Sequence, residues 1–480
     1  MGDRAVAVQF YNQALSAFND KDNPDRLKLA YGLFSSACMI DPTWHESFYQ
    51  AGNNNSDIAA TLGTHILPSA IACWRRALEC EPEPKQRAPI LANMGWRLQN
   101  LGRFDEGLAC LEEAVRLDPN LALAWMTLSC THQALANREE MVRAAKIAYA
   151  LRPDDPLCEM QLAFALLFDR QLVEGFRYFE IRFKYKLKSY LQFPYPKWAG
   201  EPDKTVYLVA DQGLGDTLSF ARFVPAACAR AKYVHALIQP ELLRLFQNAF
   251  VGKCANLNLI PQPAPFPPAD TWTTFVSLPS ALGLSAEEIR SAPDIDIPNF
   301  FVPKNWRVPD RKLHVGIAWA GSPLNDIDRF RNIPLQHFAE LYRVPGVQLY
   351  SLQVGDKARE LSESGYSPII YDLTPNIRDV ADTMALLQHL DLVITCESAL
   401  GHICAAAGRE CWLPYSRQGT DYRLGCMGED RLWTPRHRIF KQGMDCKWEP
   451  VFAEIVEALR ERIDAGVLQH VEQRVHRASA

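Results

Sequence analysis

Apolar positions in the first third of the chain recur with a helical period, and small residues recur with a longer one. Pro42, Pro82, Pro119 and Pro153 each close a helical stretch, at spacings of 40, 37 and 34 residues. Five residues before each proline stands an alanine: Ala37, Ala77, Ala114 and Ala148. Twelve before stand Ala30, Ala70, Gly107 and Met141, and eight before stand Phe34, Trp74, Leu111 and Ala145. This is the pattern of stacked helix pairs. Small residues let the two helices of a pair approach, a bulky one fills the gap to the next pair, and proline stops the second helix. Such units cannot bury their apolar faces singly, so several must stack.

After about residue 200 the period changes to short β-branched runs separated by helical stretches. "TVYLVA" (205–210), "YVHALI" (233–238) and "TTFVSL" (273–278) read as strands, with helices starting near Thr217 and Glu241 and a proline-rich connection at 261–268. An irregular stretch at 299–312 reads as a linker, and the cycle restarts with strands at 313–320, 346–353, 368–373, 390–396 and 409–414. Helices fall at about 335–343, 379–388, 398–407 and 449–463. Strand–helix alternation predicts parallel sheets covered by helices. The expected architecture is therefore α + α/β: a helical repeat domain (1–195) followed by two Rossmann-like halves (196–304 and 305–480). Ligands should bind in the loops that leave the carboxyl ends of the strands, at 211, 320, 353, 396 and 414.

Composition narrows the function classes. The chain has 480 residues, 48% of them hydrophobic, with 51 basic against 56 acidic residues and a net charge of −5. That balance argues against nucleic acid as a partner. No run of about 18 apolar residues predicts a membrane span, and no basic-then-apolar leader opens the chain. Thirteen cysteines, an odd number, fit reduced thiols in a cytoplasm.

Three loops carry candidate chemistry. In "GLGDT" (213–217), between a strand and a helix, Gly213 and Gly215 would permit close approach and positive φ, and Asp216 is a carboxylate at a helix start. Leu218 stands where a dinucleotide fingerprint wants a third glycine, and no phosphate-loop lysine follows. Asp216 is either an N-cap or a catalytic group. In "CESALGH" (396–402), Ser398 would cap a helix and offer its hydroxyl and amide to a phosphate, Glu397 would accept from sugar or ribose hydroxyls, and His402 lies one turn further on. In "AWAGSPLNDIDRFRNIPL" (318–335), Ser322, Arg329 and Arg331 stand at the mouth of the expected cleft, and arginine forks suit diphosphate oxygens. Cys396, Cys404, Cys411, Cys426 and Cys446 lack zinc-site spacing and read as core thiols. Asp326 and Asp328 form an Asp-x-Asp pair in a loop rather than at a strand end.

The repeats resemble the tetratricopeptide repeat, best over about 88–153, with a further unit suggested by Gly175 and Phe179. The remainder resembles bacterial tetratricopeptide-repeat glycosyltransferases, whose catalytic part is similar to the family 9 glycosyltransferases (lipopolysaccharide heptosyltransferases). "FDRQLVEGFRYFEIRFKYK", "FPYPKWAGEP", "DQGLGDTLSFARFVP", "VGIAWAGSP", "RFRNIPL", "YSLQVGD", "LDLVITCESALGH", "DYRLG" and "LWTPRHRIFKQ" stand in that family's order. The resemblance implies a GT-B fold of two facing Rossmann-like domains, a nucleotide-sugar donor used as substrate, and no metal or other cofactor. It implies Asp216 as general base, with Arg329, Arg331, Gln353, Glu397, Ser398 and His402 at the donor, where the loop positions of Gly215 and Ser322 place them as well. Glu397 and Ser398 depart from the family's aspartate and threonine. The acceptor would be a hydroxyl of a protein or glycan, brought by the repeats, which also offer a contact for homo-oligomers. The alternative is a non-catalytic repeat scaffold with a degenerate nucleotide-sugar domain.

Overall fold

A computed structural model of the chain describes residues 2–184, 193–250, 252–263, 267–295, 313–322, 328–426 and 431–478. The chain divides into two compact units, Met1–Asp169 and Arg170–Ala480.

The first unit is helical throughout: α1 (Gly2–Asn19), α2 (Arg26–Ile40), α3 (His45–Leu62), α4 (Leu67–Glu79), α5 (Pro84–Asn100), α6 (Phe104–Leu117), α7 (Ala122–Leu135), α8 (Arg138–Leu151) and α9 (Pro156–Phe168). The prolines fall just past α2, α4, α6 and α8. In three of these ends the repeat alanine accepts the cap N–H: Asp41 to Ala37, Asp118 to Ala114 and Arg152 to Ala148, at 3.1, 2.9 and 3.1 Å. The residues five, eight and twelve positions before each proline are all buried. Polar side chains tie each first helix to the next: Asn93 Nδ2 donates to Asn53 (2.9 Å), Thr131 Oγ1 to Gln99 (3.1 Å) and Gln161 Nε2 to Ser129 (3.0 Å).

Closeness within a pair is what the glycines permit. A Cβ on Gly95 of α5 would lie 2.7 Å from Leu111 Cγ and 3.0 Å from the Gly107 carbonyl oxygen of α6. Gly95→Ala is expected to destabilise the repeat unit by about 1–3 kcal/mol, read as a lower melting temperature by circular dichroism. Gly32→Ala, with open space around it, is the control and should not lower it.

The second unit begins with α10 (Leu172–Phe179) and α11 (Ile181–Lys184), so Gly175 and Phe179 belong here although their pattern suggested a further repeat. Then come β1 (Thr205–Val209), α12 (Leu214–Phe220), α13 (Val224–Arg230), β2 (Tyr233–Ile238), α14 (Leu243–Phe250), β3 (Leu257–Pro261), β4 (Thr271–Thr274), α15 (Leu278–Ala281) and α16 (Ala286–Ser291). The chain continues through β5 (Leu313–Ala318), α17 (Asp328–Arg331), α18 (Leu335–Glu340), β6 (Val347–Ser351), α19 (Arg359–Glu363), β7 (Ile370–Asp372), α20 (Val380–Leu387), β8 (Leu392–Thr395), α21 (Ala399–Ala406), β9 (Cys411–Tyr415), β10 (His437–Lys441) and α22 (Glu449–Ala478).

Two sheets result, with strand orders β3-β2-β1-β4 and β10-β9-β8-β5-β6-β7. Every pairing in them is parallel. Val206, Tyr207, Leu208 and Val209 of the central strand β1 are all buried, as a sheet covered on both faces requires. The larger core gathers β5, β6 and β8 against Phe338 of α18 and Phe452, Ile455 and Leu459 of α22.

Two strands escape the hydrophobic pattern. β3 is an edge strand with one fully buried residue, Ile260, and β10 is an edge strand whose Arg438 is exposed. The strand expected at 273–278 is centred earlier, because Thr271–Thr274 pair with β1 and Leu278 starts a helical turn. The linker expected at 299–312 lies outside the described residues. Among the described residues no helix is long and apolar enough to cross a membrane.

Candidate functional site

In each sheet the strand order reverses beside a central strand, between β1 and β4 and between β5 and β8. Such switch points open a crevice at the carboxyl ends of the strands. The loops leaving β1, β5 and β8 are the three that carry the candidate residues.

After β1 the chain turns at Gly213, the N-cap of α12. Its φ is −67°, so the positive φ expected at Gly213 is not used; extended backbone suffices there. Gly215 is needed for proximity. A Cβ on it would lie 2.6 Å from His402 Cδ2 and 3.3 Å from Ala399 Cα, so α12 and α21 cross here at backbone range. Asp216 Oδ2 accepts the Gly213 N–H at 3.2 Å, which makes it an N-terminal cap in part. Its Oδ1 meets Arg423 Nη2 at 2.9 Å, and its side chain is 25% exposed.

His402 on α21 lies 3.1 Å from Ser219 Oγ through Nδ1 and 3.7 Å from Asp421 Oδ2 through Nε2. Burial, helped by the Arg423 charge, pushes its pKa down and keeps the ring neutral. Hydroxyl, imidazole and carboxylate thus stand in the order of a hydrolase triad. However, Ser219 donates its hydrogen to the Gly215 carbonyl at 2.8 Å, and Arg423 grips Asp421 at 2.5 Å. The chain of groups ties α12 to α21 instead of arming a nucleophile.

Glu397, just after β8, is buried, and with Ser398, His402 and His437 it lines a small cavity. Arg331 Nη2 stands 2.8 Å from its Oε1, out of line for a hydrogen bond, and neither oxygen has a hydrogen-bond donor among the described residues. Arg331 is itself anchored, Nε to the Gly419 carbonyl at 2.6 Å. Burial pushes the Glu397 carboxyl up to about 8, against the opposing pull of Arg331. A carboxyl that holds its proton more tightly folded than unfolded stabilises the fold at low pH. That stabilisation fades as pH rises from the ordinary value of 4.5 toward 8. Glu397→Gln removes the titration, so its unfolding free energy relative to the unmodified chain, read from thermal melts, is expected to rise between pH 5 and pH 8 by on the order of a few kcal/mol. Parallel melting curves would contradict the shift.

Ser398 is the N-cap of α21 by position only. Its hydroxyl makes no cap bond and instead lies 3.3 Å from Thr395 Oγ1. Gln353, expected at the donor, is spent on backbone: Oε1 accepts from the Trp319 and Ala320 N–H groups, both at 2.9 Å, and Nε2 donates to the Ala320 and Val354 carbonyls. It fixes the turn after β5. Ser322 is exposed on the same loop, while the Arg329 side chain and Asp326 lie outside the described residues.

Sequence reasoning missed Arg423, Asp421 and His437. The first two form a tight pair on the 3-10 turn Tyr422–Leu424, signalled by the string "DYR" but by no periodicity. His437 on β10 lies 2.9 Å from the Gly401 carbonyl through Nε2, and burial pushes its pKa down to about 4. Cys396, Cys404, Cys411 and Cys426 are buried and unbridged, Cys446 is half-buried, and among the described residues no cluster could hold a metal.

The tetratricopeptide repeat family matches residues 88–121, within α5 and α6 and the turns around them. The chain carries that repeat. It is also 28% identical over 437 residues to Protein FlbA of Caulobacter vibrioides, across 82% of this chain and 70% of that protein. Among solved structures, pilF of Pseudomonas aeruginosa is 18% identical, over 38% of this chain and 78% of that one, with a TM-score of 0.32. MamA is 15% identical, over 39% of this chain and 98% of that one, with a TM-score of 0.31. YrrB, a TPR protein with an unusual peptide-binding site, is 18% identical over 38% and 89%, with a TM-score of 0.30.

Proposed function

We propose that the second unit is a glycosyltransferase of GT-B type, which moves a sugar from a nucleotide-sugar donor to a hydroxyl of a protein or glycan without a metal. The observation that carries this reading is the meeting of Asp216, from the end of the first sheet, with His402 and Arg423 from the second. In this reading Asp216 takes the proton of the acceptor hydroxyl as it attacks the anomeric carbon, and the nucleoside diphosphate leaves with inversion. The amide end of α21 at Ser398 and the guanidinium of Arg331 meet the departing charge. Glu397 holds Arg331 rather than the ribose, and Gln353 acts through the turn it braces. The repeats recruit the acceptor, and thirteen cysteines that form no disulfide suit a cytoplasmic enzyme.

A second reading has one observation in its favour. With the Gln353 amide spent on backbone, one expected donor contact is taken up, as in a repeat scaffold that has lost catalysis. Thermal shift against UDP-, GDP-, ADP- and CMP-sugars separates the two. A donor at about 100-fold its Kd adds about 2.7 kcal/mol, so one nucleotide class should raise the melting temperature by several degrees. No shift with any of them favours the scaffold.

A further inference from the structure

We propose that Arg423 is a positioning residue for the transfer step: reaching from the turn after β9 to the start of α12, its guanidinium fixes the orientation of the Asp216 carboxylate. The proposal rests on the reading of Asp216 as the base.

The local need for Arg423 is already met by Asp421. Arg423 Nε lies 3.0 Å from each Asp421 oxygen, Nη2 lies 2.5 Å from Oδ2, and Asp421 also accepts the Arg423 N–H at 2.8 Å. That pair closes the turn and balances the charge without outside help. The contact of Nη2 with Asp216 Oδ1 at 2.9 Å is additional, and it joins residues from different sheets. The arginine side chain is 7% exposed and the Asp216 side chain 25%, so the guanidinium stands behind the carboxylate and leaves its outer edge open.

Asp216 therefore meets a partner at each oxygen, Oδ1 through the ion pair with Arg423 and Oδ2 through the Gly213 N–H hydrogen bond. A cation at one oxygen and a hydrogen bond at the other oppose rotation about the Cβ–Cγ bond and favour one orientation of the carboxylate. A base must be aimed to work, since a misplacement of about 1 Å can cost ~10²-fold in rate. Arginine does not lose its proton in proteins, so the grip persists at every working pH. The fold also leaves Arg423 Nη1 buried without a hydrogen-bond partner, a cost that a residue needed only for the turn need not carry.

The test is a double-mutant cycle on the full chain. The unmodified protein, R423Q, R423K, D216N and the two doubles are assayed for release of nucleotide from UDP-, GDP-, ADP- and CMP-sugars. R423Q should lower kcat by ~10²-fold, with donor KM changed less than about threefold. R423K, which offers a single flexible ammonium, should lower kcat about tenfold. In the D216N background either change should cost less than about threefold, because the residue it aims is gone. Equal losses in both backgrounds, or a raised KM with kcat kept, would overturn the proposal, as would undiminished turnover by R423Q. If circular dichroism shows R423Q unfolded, the R423K pair decides by the same comparison. No turnover of any donor by the folded unmodified protein overturns the glycosyltransferase reading and this proposal with it. Turnover with additive losses overturns this proposal alone.

Discussion

Asp216→Asn is expected to leave the chain folded and to slow sugar transfer by ~10²-fold or more. Asparagine keeps the shape of the side chain and still accepts the Gly213 N–H, so the start of α12 should survive. Its contact with Arg423 weakens, but that guanidinium remains paired with Asp421. What disappears is the basic carboxylate oxygen that the proposed mechanism uses to take a proton from the acceptor. Rates are compared at equal melting temperature, so a loss of fold is not mistaken for a loss of chemistry. Transfer at the unmodified rate would remove Asp216 from the role.

The largest effect on stability is expected at Arg182. It is fully buried, its ring neighbours Phe179 and Phe183 flank the guanidinium, and each nitrogen is used. Nε donates to Asp211, Nη1 to the Phe179 carbonyl and Glu180, and Nη2 to Thr274 and Ser277, at 2.7 to 3.2 Å. This one side chain thereby pins α11 to the carboxyl ends of β1 and β4, directly behind the Asp216 loop. Asp211 is as deeply buried, and burial pushes its carboxyl pKa up. Arg182→Ala strands that carboxyl and should cost about 3–5 kcal/mol in urea unfolding of the second unit. Arg182→Met with Asp211→Asn removes both charges and should recover most of the loss. A double variant as unstable as the single would show that packing, not the charge, is what Arg182 supplies.

The repeats were legible because their information is local. Alanines at fixed offsets from prolines, Gly95 against Gly107, and Trp74 in its gap are each a close approach written in residue size. The strands around β1 and β5 were legible for a similar reason, as buried apolar runs. Edge strands β3 and β10 were not, because most of their side chains are only partly buried and polar residues dilute the apolar signal. At the site, the loops could be found from strand ends and glycines, yet the roles within them could not. Glu397 looks like a ligand group in a string of letters, and only the packing of α21 over it makes it Arg331's partner. Gln353 looks like a donor contact, and only the turn at Trp319–Ala320 absorbs it. Arg423 and Arg182 act on residues more than twenty-five positions away, a distance at which no periodicity speaks.

The account's central claim is that the second unit turns over a nucleotide sugar. The most direct measurement is release of nucleoside phosphate when the full chain is incubated with UDP-, GDP-, ADP- and CMP-sugars, with Asp216→Asn in parallel. The account predicts release from one nucleotide class by the unmodified chain and ~10²-fold less by the variant. Folded protein that releases nucleotide from none of them, or at equal rates with and without the Asp216 carboxylate, would contradict it.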